Sequence, residues 1–208
     1  RRIARMSVDP APMNLTHHFL IAMPGVRDAL FARSVVYVCE HNERGTLGLI
    51  INKPSDITLG QLFDKLDLPL QRADLAAQPV LQGGPVQTDR GFVLHEAVHP
   101  TAAGDAQPQD ETLYASTLRI PGGLEMTTSK DVLEALSTGG GPQRLLITLG
   151  YSAWGEGQLE SELRENAWLT VEADLAVLFD TPVSERYDRA LALLGLQSWM
   201  LSAEAGHA

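Results

Sequence analysis

Short apolar runs rich in β-branched residues dominate the hydrophobic pattern of this chain. The two clearest runs, at residues 34–40 and 46–52, are apolar on both faces and flank a five-residue loop with Gly45 near its end. This pattern predicts a β-hairpin whose strands lie inside a sheet that is covered on both sides. Further strands are predicted at residues 19–23, 80–81, 91–95, 117–120, 145–151, 167–172 and 176–179.

Helical periodicity and N-terminal capping residues occur between these runs. Thr58 is a good N-cap, and Thr128 with Asp131 three residues later resembles a capping box. Helices are predicted at residues 59–66, 128–137, 158–166 and 184–194, with a single helical turn at 28–33. Because strands and helices do not alternate regularly, we predict an α+β fold with a mixed, largely antiparallel sheet flanked by helices. The sequence leaves open whether this sheet closes into a barrel-like form.

The chain length suits one domain or two small ones, and we predict a single compact domain. We place this domain at residues 13–197 of the 208 residues. The flanking segments 1–12 and 198–208 are predicted to be tails. The polar, non-periodic stretch 100–111 is predicted to be a mobile loop.

Charge and cysteine content narrow the function classes. The net charge of −10 disfavours nucleic-acid binding through phosphate neutralisation. The single cysteine, Cys39, excludes a disulfide within the chain and favours a reducing cytoplasm. No apolar run reaches the roughly 18 residues of a membrane-spanning helix, and none follows the basic N-terminus as in a secretory signal. We therefore expect a cytoplasmic protein that does not act in a membrane.

The segment His95-Glu96-Ala97-Val98-His99 matches the H-E-x-x-H signature of zinc proteases. In those enzymes the two histidines meet over one zinc ion because they lie one helical turn apart. Here the motif continues the predicted strand 91–95, and Pro100 disfavours helical backbone at His99. Two histidines four positions apart on a strand are roughly 13 Å apart, so we predict no metal site.

A second motif, Gly150-Tyr151-Ser152-Ala153-Trp154, resembles the G-x-S-x-G turn that carries the nucleophile of α/β-hydrolases. Trp154 replaces the second glycine, whose missing side chain permits the strained turn. The simpler interpretation is a turn at the end of a strand. The following Gly155-Glu156-Gly157 lacks the other residues of a dinucleotide- or phosphate-binding loop. We therefore predict no catalytic residues and no cofactor.

The open end of the first hairpin is a candidate anion site. If the strands pair across a five-residue loop, Ser34 lies opposite Asn52, and Arg33 lies beside Lys53. The same register pairs Tyr37 with Leu49 and Cys39 with Leu47. Like charges in cross-strand contact are unfavourable, so a nearby carboxylate, splaying into solvent or a bound anion is needed. In the last case the two cations, the Ser34 hydroxyl and the Asn52 amide would bind a carboxylate or phosphate.

Three turns are candidates for the walls of a ligand pocket: Asn52-Lys53-Pro54, Gly83-Gly84-Pro85 and 151–154. Together with the anion hypothesis, they define the predicted ligand-binding residues. These are Arg33, Ser34, Asn52, Lys53, Gly83, Gly84, Tyr151 and Trp154.

Several segments in combination resemble the AlgH/YqgE family of uncharacterised bacterial proteins. These segments are HHFLIAMPG, FARSVVYVCEHN with GTLGLIINKP, LQGGPV followed by DRGFVLH, and LGYSAWGEGQLESELRENAWL. The resemblance covers residues 13–196, with Tyr187 at a position where tryptophan is common. It implies a compact cytosolic α+β domain without established catalytic residues. One branch of the family has been named a transcriptional regulator of exopolysaccharide synthesis.

Two functional hypotheses from different classes follow. The first is a small cytosolic regulatory or interaction protein without catalytic activity, which acts through a protein partner and affects transcription indirectly. The alternative is a small-molecule-binding domain or enzyme that uses the pocket described above, with an anionic small molecule as its ligand. A deep pocket with converging polar groups favours the alternative, whereas a flat apolar patch of several hundred Å² favours the first hypothesis.

Overall fold

The computed structural model describes residues 13–98 and 112–201. Within these ranges the chain forms ten strands, five α-helices and two 3₁₀ turns, the latter at Val183–Glu185 and Ser198–Leu201. The strands are β1 (His18–Ala22), β2 (Val35–Asn42), β3 (Gly45–Ile50), β4 (Pro54–Thr58), β5 (Pro79–Gln82), β6 (Val86–Glu96), β7 (Thr117–Ile120), β8 (Leu124–Thr127), β9 (Leu145–Gly155) and β10 (Trp168–Glu172). The helices are α1 (Leu59–Lys65), α2 (Asp131–Ser137), α3 (Gln158–Arg164), α4 (Leu175–Phe179) and α5 (Arg186–Ala192).

All ten strands belong to one mixed sheet. Its main order is β10-β1-β2-β3-β9-β6-β8-β7, while β4 pairs with β5, and β5 runs parallel to β9. The long strand β9 changes neighbours along its length, because residues 152–155 pair with β3 and residues 145–149 pair with β6. The sheet is curled, and its two ends approach each other where the His17 ring contacts Gly122 in the turn between β7 and β8. The prediction of an α+β domain is confirmed, and the sheet has the form of a half-barrel.

Three apolar clusters cover the two faces of the sheet. The largest fills the concave face, where α4 and α5 pack against side chains such as Tyr37, Leu94 and Leu146. A second cluster, which includes Phe63 and Leu136, joins α1 and α2 to β6 and β9 on the opposite face. A third lies beside α3 and contains Trp154 and Trp168. Because alternate residues of a strand face opposite sides, the two-sided burial explains why the strands at 34–40 and 46–52 are apolar at almost every position.

The first hairpin differs from the predicted one at its turn. β2 extends to Asn42 and β3 begins at Gly45, so two residues connect the strands instead of five. Tyr37 lies opposite Leu49 as predicted. The predicted pairing of Cys39 with Leu47 is wrong, because a β-bulge between Val38 and Glu40 shifts the register by one residue. Cys39 is buried, and burial raises the pKa of its thiol well above the ordinary value.

Two further predictions are corrected by the structure. The segment 176–179, predicted as a strand, belongs to helix α4, which is capped by the Asp174 carboxylate through the backbone N–H groups of Ala176 and Val177. The predicted N-cap of α2, Thr128, does not cap it. The N-cap position is Lys130, which makes no capping side-chain hydrogen bond. The Thr58 cap of α1 is confirmed as a capping box with Gln61.

Other sequence predictions are met in part or fall outside the described residues. Strand β4 was not predicted, because it begins at Pro54 and contains Asp56, both unfavourable in strands. The predicted loop 100–111, His99 and the segment 1–12 lie outside the described residues. Of the predicted C-terminal tail, residues 198–201 form a 3₁₀ turn, and residues 202–208 are not described.

Candidate functional site

Two side chains from the segment between β3 and β4 hold the loop before β2 in place. Lys53 Nζ donates to the Ala32 carbonyl at 2.6 Å, and Asn52 Nδ2 donates to the Arg33 carbonyl at 2.8 Å. Asn52 Oδ1 in turn accepts the backbone N–H of Val35 at 2.8 Å. The amide of Asn52 therefore holds the loop with one N–H donor and with its carbonyl oxygen, which leaves one N–H donor without a hydrogen bond among the described residues.

Arg33 and Lys53 lie near each other at this end of the hairpin, where the sequence predicted them. Partial burial lowers the pKa of Lys53 from its ordinary value, and the positive charge of Arg33 lowers it further. The guanidinium carbon of Arg33 stacks 4.5 Å from the ring centroid of Tyr187 on α5. Within the described residues, neither cation forms an ion pair with a carboxylate.

Ser34, the remaining predicted residue of the anion site, is fully buried. Its hydroxyl has no hydrogen-bond partner among the described residues. By the alternation of the strand it faces the same side as Val36, which belongs to the cluster beside α3. The hydroxyl therefore lies on the opposite side of the sheet from α5 and the Arg33 guanidinium.

Arg186, at the start of α5, is a third cation in this region. It was not among the predicted site residues. Its side chain is buried, with Nε donating to the Thr181 carbonyl at 3.1 Å and Nη1 donating to the Ile51 carbonyl at 2.5 Å. Burial lowers the pKa of Arg186 to about 10. The sequence offered no signal for this role, since an arginine in an amphipathic helix is usually exposed.

A cleft of about 690 Å³ opens beside Arg186. It is bounded by the start of β4, the start of β5 and the segment that joins α4 to α5. The lining residues are Asn52, Pro54, Gln78, Pro79, Phe179, Asp180, Thr181, Pro182, Val183, Ser184 and Arg186. Among the described lining residues the one carboxylate, Asp180, is in an ion pair with Arg144 at 2.7 Å.

Gly83 and Gly84 form a backbone crossing. Gly83 accepts hydrogen bonds at its carbonyl from the Ile50 N–H at 2.9 Å and from the Ser152 hydroxyl at 3.0 Å. A Cβ atom on Gly84 would lie 2.1 Å from the Tyr151 carbonyl oxygen. The two glycines are therefore required by close packing against β9, and both are buried. Ser152 is also buried, so its hydroxyl does not face solvent.

The two aromatic residues of the predicted pocket lie apart from the Arg186 cleft. Tyr151 is half-buried and packs edge-to-face on Phe92, with ring centroids 5.3 Å apart. Trp154 is buried beside α3, where its indole N–H and that of Trp168 both donate to Glu162 Oε1, at 3.3 and 3.1 Å. Of the three turns proposed as pocket walls, only the first, through Asn52 and Pro54, lines the cleft at Arg186.

Comparison with known proteins places this fold and its motifs in a family. Residues 19–199 match the model of the DUF179 family, described as AlgH-like. The chain belongs to the AlgH-like family. It is 72% identical over 213 residues to the UPF0301 protein of Paracidovorax citrulli (strain AAC00-1), with 98% of this chain and 100% of that protein covered. It is 73% identical over 203 residues to the UPF0301 protein of Acidovorax sp. (strain JS42), with the same coverage.

Two solved structures share this AlgH-like fold. The solution structure of the AlgH protein from Pseudomonas aeruginosa matches with a TM-score of 0.69 and 47% identity, over 96% of this chain and 99% of that chain. A crystal structure of a protein from Corynebacterium diphtheriae matches with a TM-score of 0.62 and 21% identity, over 88% and 86% of the two chains. The second match supports the fold alone.

The histidine of the H-E-x-x-H pattern sits in a buried polar cluster of this AlgH-like protein. His95 lies on strand β6, as predicted, and is fully buried. Its Nδ1–H donates to the Glu96 carbonyl at 2.7 Å, so its Nε2 accepts from the Thr127 hydroxyl at 2.8 Å. The Tyr114 ring packs edge-on against the imidazole at 5.7 Å. Both ring nitrogens are occupied, which explains His95 as a hydrogen-bonded core residue.

We expect His95 to make the protein less stable in mild acid. Burial lowers the pKa of His95 below its ordinary value of 6.5, although the charge of Glu125 on β8 opposes this shift. Below pH 6.5 the unfolded chain therefore binds a proton that the folded chain does not, and folding stability falls as the pH falls through this window. Urea unfolding at several pH values should show this loss in the wild type and a smaller loss in His95→Gln. An equal loss in both proteins would contradict the role of His95.

The described residues show neither a cluster of metal ligands nor a membrane-spanning helix. Among residues 13–98 and 112–201, no group of three or more His, Cys, Asp or Glu side chains is arranged to hold a metal ion. Over the same ranges, no helix is long and apolar enough to cross a membrane.

Proposed function

We propose that this AlgH-like protein is a cytoplasmic interaction protein without catalytic activity, which binds a partner protein through an apolar surface near its C-terminus. The observation that carries the proposal is a concentration of exposed apolar side chains within eight residues. Leu193, Leu194, Trp199 and Met200 are 39%, 38%, 68% and 41% exposed. We call these four residues the C-terminal patch.

The C-terminal patch is held in place by the core beneath it. Leu196 lies between its members along the chain, Leu201 directly follows Met200, and both leucines are packed against the large cluster on the concave face of the sheet. An exposed tryptophan on such a support has the properties of a binding hot spot, because it buries a large area at little cost in conformational entropy. Isolated exposed leucines need no explanation, but a group that includes tryptophan indicates an interaction site.

The net charge indicates the chemistry of the partner. Since the chain carries a net charge of −10, a partner with basic residues around an apolar contact would be attracted and oriented by the field of this protein. The same charge disfavours direct contact with DNA. Any effect on transcription would therefore be exerted through the partner, which agrees with an indirect regulatory role.

Paired substitutions test this proposal. The double variant Leu194→Ser/Trp199→Ser should fold normally, because both side chains are exposed. It should bind the partner at least about tenfold more weakly, the scale of a lost tryptophan hot spot. Leu66→Ser, which changes an exposed leucine of 45% exposure outside the patch, is the matched control. A protein captured by the wild type is purified, and its affinity for each variant is measured by calorimetry at two salt concentrations.

The proposal requires that the captured partner is basic and that its binding is lost with the patch but kept in Leu66→Ser. Equal affinity for the wild type and the double variant would contradict it. Light scattering provides a second check, because a concentration-dependent dimer that the double variant abolishes would assign the patch to a second copy of the chain instead.

A second candidate function is the binding of a small anionic molecule. The specific observation in its favour is the cleft beside the buried Arg186.

A further inference from the structure

We propose that the cleft beside Arg186 binds the oxyanion group of a small ligand, with the Arg186 guanidinium as the binding group. This inference rests on the second candidate function and gives it a site and a ligand class. The site differs from the one expected at the end of the hairpin, because its central cation comes from α5.

The Arg186 guanidinium is a buried positive charge. Arg186 is only 4% exposed, yet its hydrogen bonds go to two backbone carbonyls and none goes to a carboxylate within the described residues. Removing a charge from water is costly unless an opposite charge compensates it, and two carbonyl dipoles compensate only in part. A bound anion would supply the missing charge.

The Arg186 guanidinium also has N–H donors that its two hydrogen bonds do not use. A guanidinium has five N–H donors, and the two hydrogen bonds of Arg186 use one on Nε and one on Nη1. Nη2 makes no hydrogen bond within the described chain, but it is not one of the atoms sealed from solvent without a partner. Since Arg186 lines the cleft, we assign its Nη2 donors to a carboxylate or phosphate group bound there.

The size and lining of the cleft suit a small ligand. Its volume of about 690 Å³ lies in the range of small-molecule sites. Proline, valine and phenylalanine side chains form much of its wall, and Ser184 adds an exposed hydroxyl. Asp180, the acidic residue among the described wall residues, is already paired with Arg144 and so repels an incoming anion less.

Two neighbouring cations add to the positive potential. Arg33 stacks on Tyr187, the residue next to Arg186, and Lys53 lies two positions after Ile51, whose carbonyl binds Arg186. Neither Arg33 nor Lys53 lines the cleft, so they contribute to the field instead of to direct contacts. Arg33, Lys53 and Arg186 all form no ion pair with a carboxylate in the described residues, although the chain as a whole has a net charge of −10.

The alternative is that Arg186 serves only as a clamp between α5 and the end of β3. Ligand titration separates the two roles. Inorganic phosphate and acetate are titrated into the full chain at constant ionic strength, with chloride as the reference anion. Binding is followed by ³¹P NMR for phosphate, by chemical-shift changes of the protein for acetate, and by the melting temperature for both. A ligand that binds only the folded state raises the melting temperature by mass action.

Two variants test the site, and one serves as the control. Arg186→Lys keeps the charge but removes the planar fork of donors. Ser184→Asp places a negative charge at an exposed position of the cleft wall and leaves Arg186 intact, so the test survives even if Arg186→Lys is unstable. Gln71→Glu adds the same charge at an exposed residue that does not line the cleft.

We expect saturable binding of at least one probe by the wild type, weakened about tenfold or more in Arg186→Lys and in Ser184→Asp. Binding by Gln71→Glu should stay within about twofold of the wild type, the shift expected from a screened distant charge. The probe that binds more tightly identifies the group as phosphate or carboxylate. Saturable binding that survives both cleft variants would leave a ligand-binding function but overturn this site. If neither probe binds more tightly than chloride, both the anion-binding function and this site are overturned.

Discussion

Gly84→Ala is expected to destabilise the protein by about 3 kcal/mol or more, because the chain has no room for a side chain at this position. A Cβ atom on Gly84 would lie 2.1 Å from the carbonyl oxygen of Tyr151 and 2.2 Å from its carbonyl carbon. Both atoms belong to the backbone of β9, so neither can rotate away. Relief of the clash requires β9 to separate from the link between β5 and β6.

Gly91→Ala is the matched control for this prediction. Gly91 lies on β6, one of the two strands that this link joins, but a Cβ atom there would meet no atom of the described chain within 4 Å. Its replacement should change the free energy of unfolding by no more than about 0.5 kcal/mol. Urea unfolding of the two variants measures both values. A midpoint for Gly84→Ala equal to that of the wild type would show that the crossing can relax without cost.

The glycine pair Gly83-Gly84 shows that one sequence signal can have more than one structural cause. Gly83-Gly84-Pro85 is typical of a sharp turn, and such turns often surround ligands, so it was a reasonable candidate for a pocket wall. In the structure, both glycines instead allow two backbones to cross in contact. The sequence contains the requirement for glycine but not its cause, because the crossing partner, Tyr151, is 67 residues away.

Strands that are buried on both faces were predictable because they need unbroken apolar, β-branched sequence. The bulge at Cys39 was not predictable, since it depends on how β3 meets β2 and not on any local preference. Helix α4 was mistaken for a strand because its five residues, Leu175–Phe179, are too few to show helical periodicity. A usable signal was present in Asp174, a favourable N-cap directly before the run.

The candidate site also has a part that the sequence predicted and a part that it did not. The closeness of Arg33 and Lys53 follows from antiparallel pairing, which the sequence allowed us to anticipate. The burial of Arg186 follows from the docking of α5 on the concave face, a tertiary arrangement that helical periodicity alone does not specify. The role of Arg186 therefore depends on the contacts that fix α5, and Tyr187 provides several of them.

Tyr187→Ala is expected to lower the free energy of unfolding by about 3–5 kcal/mol, the range for removing a large buried aromatic side chain. Tyr187 is 5% exposed and belongs to the core cluster of the concave face. Its hydroxyl donates to the Ala22 carbonyl on β1 at 2.7 Å, and the Arg33 guanidinium stacks on its ring. The substitution therefore removes packing, a buried hydrogen bond and a cation–π contact at once.

Tyr187→Phe separates these contributions, because it keeps the ring and removes only the hydroxyl. We expect it to cost about 1–3 kcal/mol, since the Ala22 carbonyl loses a hydrogen bond in a buried position. Urea unfolding of the two variants gives both values, and circular dichroism confirms that each variant is folded. Equal losses in the two variants would assign the whole effect to the hydrogen bond and would mean that the ring contributes nothing to holding α5. The expected larger loss in Tyr187→Ala would instead establish the ring as the anchor of α5, and hence as the support that keeps Arg186 buried beside its cleft.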